Sequence, residues 1–136
     1  MYNDVIFSAY KNDDHYIMHG NYMGGFSGFL TNFGNGFLLP NGIFTAPRTG
    51  IYEFSVDAHA YSTNIAVLTV QHNGANELSF HTQNVNYGSL SFSWIMELKQ
   101  DDTVRIYVQD GYIYCGDVYN CVFSGKLIKN WIVILN

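Results

Sequence analysis

The sequence predicts an all-β chain, a ten-stranded antiparallel jelly-roll sandwich, and three observations lead to it. Charged residues make up only 12% of the 136 residues while aromatics reach 17%, a balance that favours packed sheets over solvated helices. Apolar and polar residues alternate with a period of two in segment after segment, and no segment sustains a helical period. Turn residues separate those segments at short intervals, as in a sandwich or barrel. One domain spanning residues 1–136 is the expectation, since a chain of this length can bury about 68–70% of its unfolded surface.

Taken in order, VIFSAY at 5–10 is the first strand pattern, and Lys11 to His15 is a polar turn. The Gly- and Asn-rich segment 21–37 is a long connection holding short strand pieces, and Asn41-Gly42 turns the chain toward 43–45. After Pro47-Arg48-Thr49-Gly50 the pattern is clearest: Tyr52, Phe54, Val56, Ala58 and Ala60 alternate with Ile51, Glu53, Ser55, Asp57 and His59. A strand there puts the first set into a core and the second on an outer face. Ser62-Thr63-Asn64 ends it. Residues 65–72 and 77–83 flank Asn73-Gly74, a pair that favours a hairpin because both central residues must take positive φ. In 89–98, Leu90, Phe92, Trp94, Met96 and Leu98 read as inward against Ser89, Ser91, Ser93, Ile95 and Glu97. Residues 103–110 form a further strand, 111–120 a loop, and 121–128 and 130–136 the last two strands, the final one apolar on both faces.

Several function classes are excluded by the same residues. The formal net charge is −5 and the six Lys and Arg are scattered, so the electrostatic footprint of a nucleic-acid binder is missing. No run of about 18 apolar residues exists, and membrane insertion is not expected. The opening MYNDVIFSAY has neither the basic nor the long apolar region of a secretory signal. With Met1 almost directly on a strand pattern, the expectation is an exported protein whose leader has been removed. Cys115 and Cys121 could close a short loop, but two reduced thiols, with Cys121 a small core residue, are the preferred reading.

Catalytic signatures fail. Gly25-Phe26-Ser27-Gly28 lacks the second glycine of a nucleophile elbow, and Gly34-Asn35-Gly36 lacks the rest of a dinucleotide fingerprint. No enzyme is expected. His15 and His19 stand four apart without the glutamate of a zinc helix, and Asp13-Asp14 and Asp101-Asp102 read as turn residues. His59, His72 and His81 share no evident centre, so no metal site is assigned. One loop has the composition of a binding surface: Asp110, Tyr112, Tyr114, Asp117 and Tyr119 interleave aromatic faces with carboxylates, which suits a sugar that stacks by its C–H face and bonds by its hydroxyls.

The spacing of Phe26, Asn32, Phe37, Phe44, Gly50, Tyr52 and Phe54 resembles the aromatic signature of the complement C1q globular head, with Val56 where an aromatic is usual. Val5 to Ala9 resembles the family's opening, and Phe123-Ser124-Gly125-Lys126-Leu127 its F-S-G-x-L. Leu98 to Val104 resembles its L-x-x-G-D-x-V turn, with Asp101 in place of the glycine. The resemblance to the C1q and tumour-necrosis-factor superfamily implies a jelly roll that assembles as a homotrimer. It implies a trimer interface at Ile51, Ser55, His59, Ser91, Ser93 and Ile95. No Gly-X-Y repeat is present, so a trimmed head or a stalkless soluble member is expected. The implied function is a secreted, lectin-like pattern-recognition module that binds glycans or other microbial surface molecules in innate immunity. The alternatives are a receptor ligand of the tumour-necrosis-factor type or a structural trimerisation module. No cofactor is implied. Some relatives take calcium near the apex through acids, whereas His81 to Asn86 here carries no carboxylate, and calcium is left open.

Overall fold

The alternating segments become strands in the computed structural model, which describes residues 4–130. In chain order they are β1 (Ile6–Lys11), β2 (Tyr16–Met18), β3 (Gly28–Phe33), β4 (Phe37–Leu38), β5 (Ile43–Thr45), β6 (Gly50–Ala60), β7 (Val67–His72), β8 (Ala75–His81), β9 (Ser89–Leu98), β10 (Thr103–Asp110), β11 (Tyr112–Tyr114) and β12 (Cys121–Asn130). Ten strands were expected and twelve are found among the described residues. Among those not expected are the three-residue β2 and β11, too short to show a period. β11 also corrects the reading of 111–120 as a plain loop. The expected last strand at 130–136 lies outside the described residues beyond Asn130.

Two antiparallel sheets stack. One holds β9-β6-β12-β1-β3, with the β2-β11 ribbon continuing from the end of β6; the other runs β4-β5-β10-β7-β8. The β6–β9 register is unbroken from Gly50↔Leu98 to His59↔Ser89. Parity predicted the faces well: Tyr52, Phe54, Val56, Ala58, Ala60, Phe92, Trp94 and Leu98 are buried, while Ser89, Ser91, Ser93, Ile95 and Glu97 are exposed. The β7–β8 hairpin turns at Asn73 and Gly74 with φ of 52° and 83°, a region where Gly carries no Cβ penalty.

Aromatic rings fill the space between the sheets. Phe7 stacks on Phe37 at 4.5 Å and meets Phe123 edge-on at 5.3 Å, Phe54 stacks on Trp94 at 5.3 Å, and Phe80 of one sheet stacks on Phe92 of the other at 4.2 Å. Each such side chain contributes about 1.5–3 kcal/mol by burial, and well-placed ring pairs add about 0.5–1.5 kcal/mol. Gly125 is where the rings crowd the backbone: a Cβ there would lie 2.6 Å from both Phe54 Cδ1 and Phe7 Cε1. Among the described residues no helix is long and apolar enough to cross a membrane.

Candidate functional site

Antiparallel strands of alternating direction deliver four connections to one end of the sandwich. These are 12–19 with β2, 61–66, 82–88 and 111–120 with β11. Backbone bonds fix them to one another: Asp13 N donates to Cys115 O (3.0 Å), Tyr61 N to Tyr112 O (2.9 Å), and Tyr87 N to Ser62 O (2.6 Å). Six of the chain's eleven tyrosines meet there as a chain of rings. Tyr112 meets Tyr16 (5.5 Å), Tyr16 stacks on Tyr61 (5.0 Å), Tyr61 meets Tyr87 (6.1 Å) and Tyr114 (5.8 Å), and Tyr87 stacks on Tyr119 (4.7 Å). His59 at the end of β6 meets Tyr119 at 5.3 Å.

Three of the residues expected in the binding loop, Tyr112, Tyr114 and Tyr119, therefore belong to this cluster. Asp117 joins them through the Tyr114 hydroxyl, 3.1 Å from its Oδ2, and Asp14 Oδ1 approaches the same hydroxyl at 3.2 Å. Desolvation and then the two carboxylates push the Tyr114 phenol up to about 12. Asp110 ends β10 on the other sheet, where its Oδ1 accepts the Gly111 N–H at 2.9 Å. Tyr16, Tyr61 and Tyr87 were not singled out from the sequence. Counting strand directions would have found them, since alternate connections of an antiparallel sandwich share an end.

The loop that carries these rings is stapled. Cys115 and Cys121 form a disulfide with Cα atoms 5.2 Å apart, both fully buried, which corrects the preference for free thiols. Spacing could not decide the matter; the turn at Gly116–Asn120 aims both side chains inward. Asn12 Nδ2 donates to Asp117 O at 2.8 Å and to Asn120 Oδ1. Asp13 accepts the Lys11 ammonium at 2.6 Å; desolvation raises its pKa, but the Lys11 and His15 N–H bonds outweigh that and hold it below the ordinary carboxylate value.

A second surface is the outer face of the β6 sheet. Register places Thr31, Ser8, Ser124, Ser55 and Ser93 in one row across five strands, with Ser8 and Ser124 hydroxyls 2.7 Å apart. Beside it runs the row Phe33, Ile6, Lys126, Glu53 and Ile95, in which Phe33 is 60% and Ile95 61% exposed and Lys126 pairs Glu53 at 3.6 Å. The small hydroxyl row leaves a groove of about 300 Å³. Ile51, Ser55, His59, Ser91, Ser93 and Ile95 all project from this face.

A family model described as the C1q domain matches residues 6–128. The chain belongs to the C1q domain family. Its fold is similar to the globular domain of zebrafish complement 1qA protein, with a TM-score of 0.74 and 23% identity over 93% of this chain and 98% of that one. It is also similar to Eiger TNF from S. frugiperda, with a TM-score of 0.69 and 12% identity over 92% and 93% of the two chains. Murine APRIL matches with a TM-score of 0.63 and 14% identity over 91% of this chain and 99% of its own.

The C1q signature has a packing meaning here. Phe26, Phe37, Phe44, Tyr52 and Phe54 are buried ring neighbours, and Val56 is buried at the position usually aromatic. The Tyr52 hydroxyl donates to Arg48 O at 2.6 Å. Asp101, standing where this C1q domain departs from the family's turn glycine, has φ of 74°, the left-handed backbone that explains the glycine. Asp102 beside it accepts from Lys99 N (2.9 Å), His72 Nε2 (3.0 Å) and Asn73 Nδ2 (3.1 Å), as turn chemistry predicts. Among the described residues no group of three or more His, Cys, Asp or Glu is placed to hold a metal ion.

Proposed function

We propose that this C1q domain is a secreted, non-enzymatic homotrimer that recognises glycans on microbial surfaces through its tyrosine end. The observation that carries the reading is the gathering of Tyr16, Tyr61, Tyr87, Tyr112, Tyr114 and Tyr119 with Asp14 and Asp117 on connections tied by backbone bonds and a disulfide. Ring faces held beside planar acceptors suit pyranose rings, and a site already ordered loses little freedom on binding. The hydroxyl row and its exposed apolar flank support assembly: small side chains let a neighbouring copy approach, and Phe33, Ile6 and Ile95 supply area to bury. Three weak sites on one particle would gain about 10²- to 10⁴-fold in avidity where the target spacing allows simultaneous engagement.

The test joins sedimentation to a glycan array. The wild-type chain should sediment as a trimer and be retained on a subset of glycans, while Tyr112→Ala with Tyr114→Ala should keep the trimer and lose retention. Retention unchanged in that variant rejects the tyrosine end. Binding to a receptor ectodomain that competing sugars do not disturb would replace the glycan reading with a receptor-ligand one, and a trimer that retains neither would leave a structural module.

A further inference from the structure

Charge is distributed unevenly along the sandwich. Asp13, Asp14, Asp57, Asp110 and Asp117 lie at or beside the tyrosine end, whereas at the opposite end Arg48, Lys99 and Lys129 offset Asp4, Glu97, Asp101 and Asp102, with Lys126 on the half of β12 beyond Phe123. Arg105 lies within β10 and donates to Asn41 O at 3.1 Å. Of the six Lys and Arg, Lys11 alone sits at the tyrosine end, and its side chain is 5% exposed, closed off by Asp13 at 2.6 Å and Gly25 O at 3.0 Å. An approaching ligand therefore meets carboxylates, ring faces and the exposed imidazoles of His15 and His19 there, and no accessible lysine or arginine.

At its centre one proton serves two acids. The Tyr114 hydroxyl lies 3.2 Å from Asp14 Oδ1 and 3.1 Å from Asp117 Oδ2, and a hydroxyl has a single hydrogen to donate. One carboxylate is left facing the hydroxyl without its proton. Both aspartates lie in left-handed backbone, with φ of 61° and 51°. Against the Tyr114 ring stand the rings of Tyr61, Tyr87 and Tyr119, and the faces of such rings carry negative charge density.

We propose that the group seated at the tyrosine end is an organic ammonium, so that the glycans recognised are those carrying free amines. This rests on the reading of the tyrosine end as the glycan site and narrows it. A hard divalent cation asks for six or more oxygens, which two carboxylates and a phenol do not supply. An ammonium on a carbon frame needs less: one or two carboxylates for its N–H groups and aromatic faces for its weakly hydrated flank. Anionic sugars are repelled by the same field. A quaternary ammonium headgroup shares this chemistry, and the experiment separates the two sources.

Full-length chain is titrated in low-salt, mildly acidic buffer with a β-1,4-glucosamine hexamer and with the N-acetylated hexamer, which has the same ring frame without the charge. Choline chloride is a third titrant and a competitor. The free-amine hexamer should bind at least tenfold more tightly, about 1.4 kcal/mol, and the margin should shrink with added salt. Binding of choline with neither hexamer bound assigns the seat to a quaternary ammonium and overturns the free-amine glycan proposal. Asp14→Asn with Asp117→Asn is the control: asparagine tolerates left-handed backbone, so the loops are kept and only the charges go. The tenfold preference should vanish, the two hexamers then binding alike. Equal binding of the two hexamers by the wild-type chain, or a preference that survives in the double asparagine variant, overturns the ammonium proposal and leaves the glycan site standing. Binding of no hexamer and no choline, joined to a blank glycan array, overturns both.

Discussion

Replacing Cys115 and Cys121 together by alanine isolates what the bridge does. The sequence separation is 6, so loop closure in the unfolded chain accounts for about 2 kcal/mol in the chain-entropy account. Alanine leaves no buried hydroxyl behind, and the two lost sulfurs open only a small void. For a chain of this size 1 kcal/mol moves the melting temperature by roughly 3–5 °C, so the variant should melt about 6–10 °C lower. The assay is thermal unfolding by circular dichroism at one protomer concentration, because association makes the midpoint concentration-dependent. Since both sulfurs are fully buried, reductant added to the wild-type chain should act only as unfolding exposes them, and its melt should approach that of the variant. A double variant that melts within about 1 °C of the wild type refutes the reasoning. The 111–120 loop would then be held by Asn12, Asp13, the Tyr61 N–H and the pairing of β11 with β2 and β6.

Three further outcomes are expected. Gly125→Ala places a methyl group 2.6 Å from the Phe54 and Phe7 rings, which are packed too tightly to turn aside, and should cost about 1–3 kcal/mol in urea unfolding with an unchanged m-value. Tyr52→Phe removes the donor to Arg48 O and should cost about 0.5–1.5 kcal/mol by the same measurement, with no change in ligand retention. His59 has its pKa lowered by desolvation, against a hydrogen bond with the Asn120 backbone and the charge of Asp57. A histidine whose folded pKa lies below its unfolded value contributes stability that is present above the unfolded pKa and is lost as pH falls through the folded one. Melting temperature should therefore decline as pH drops below about 6.5, and His59→Gln should flatten that part of the profile; an identical slope in the variant would assign it to other groups.

The parts of the fold that could be read from the chain were those where a face is decided by burial alone. Tyr52 to Ala60 and Leu90 to Leu98 fell inward because a one-residue slip would have exposed every ring. β2 and β11 escaped notice because three residues hold no period, and their pairing of Tyr112 with Met18 and Tyr114 with Tyr16 spans about a hundred positions. The binding loop was visible as composition. Its partners Tyr16, Tyr61 and Tyr87 were not, since what unites them is the shared end of antiparallel strands and no local pattern. The cysteine pair was undecidable for a related reason: five intervening residues fit a bridge or two separate thiols equally well, and only the direction of the side chains chooses.

β6 bears on both surfaces at once. Its outward side chains from Ile51 to His59 belong to the hydroxyl-lined face, its last residues pair with β11, and its register with β9 runs from Gly50 to His59 without a bulge. An uninterrupted extended segment of this kind, roughly 35 Å long, behaves as a ruler without a hinge. If copies dock through that face, the distance between their ligand sites is dictated by rigid geometry, and such a particle would sort targets by lattice spacing as well as by chemistry.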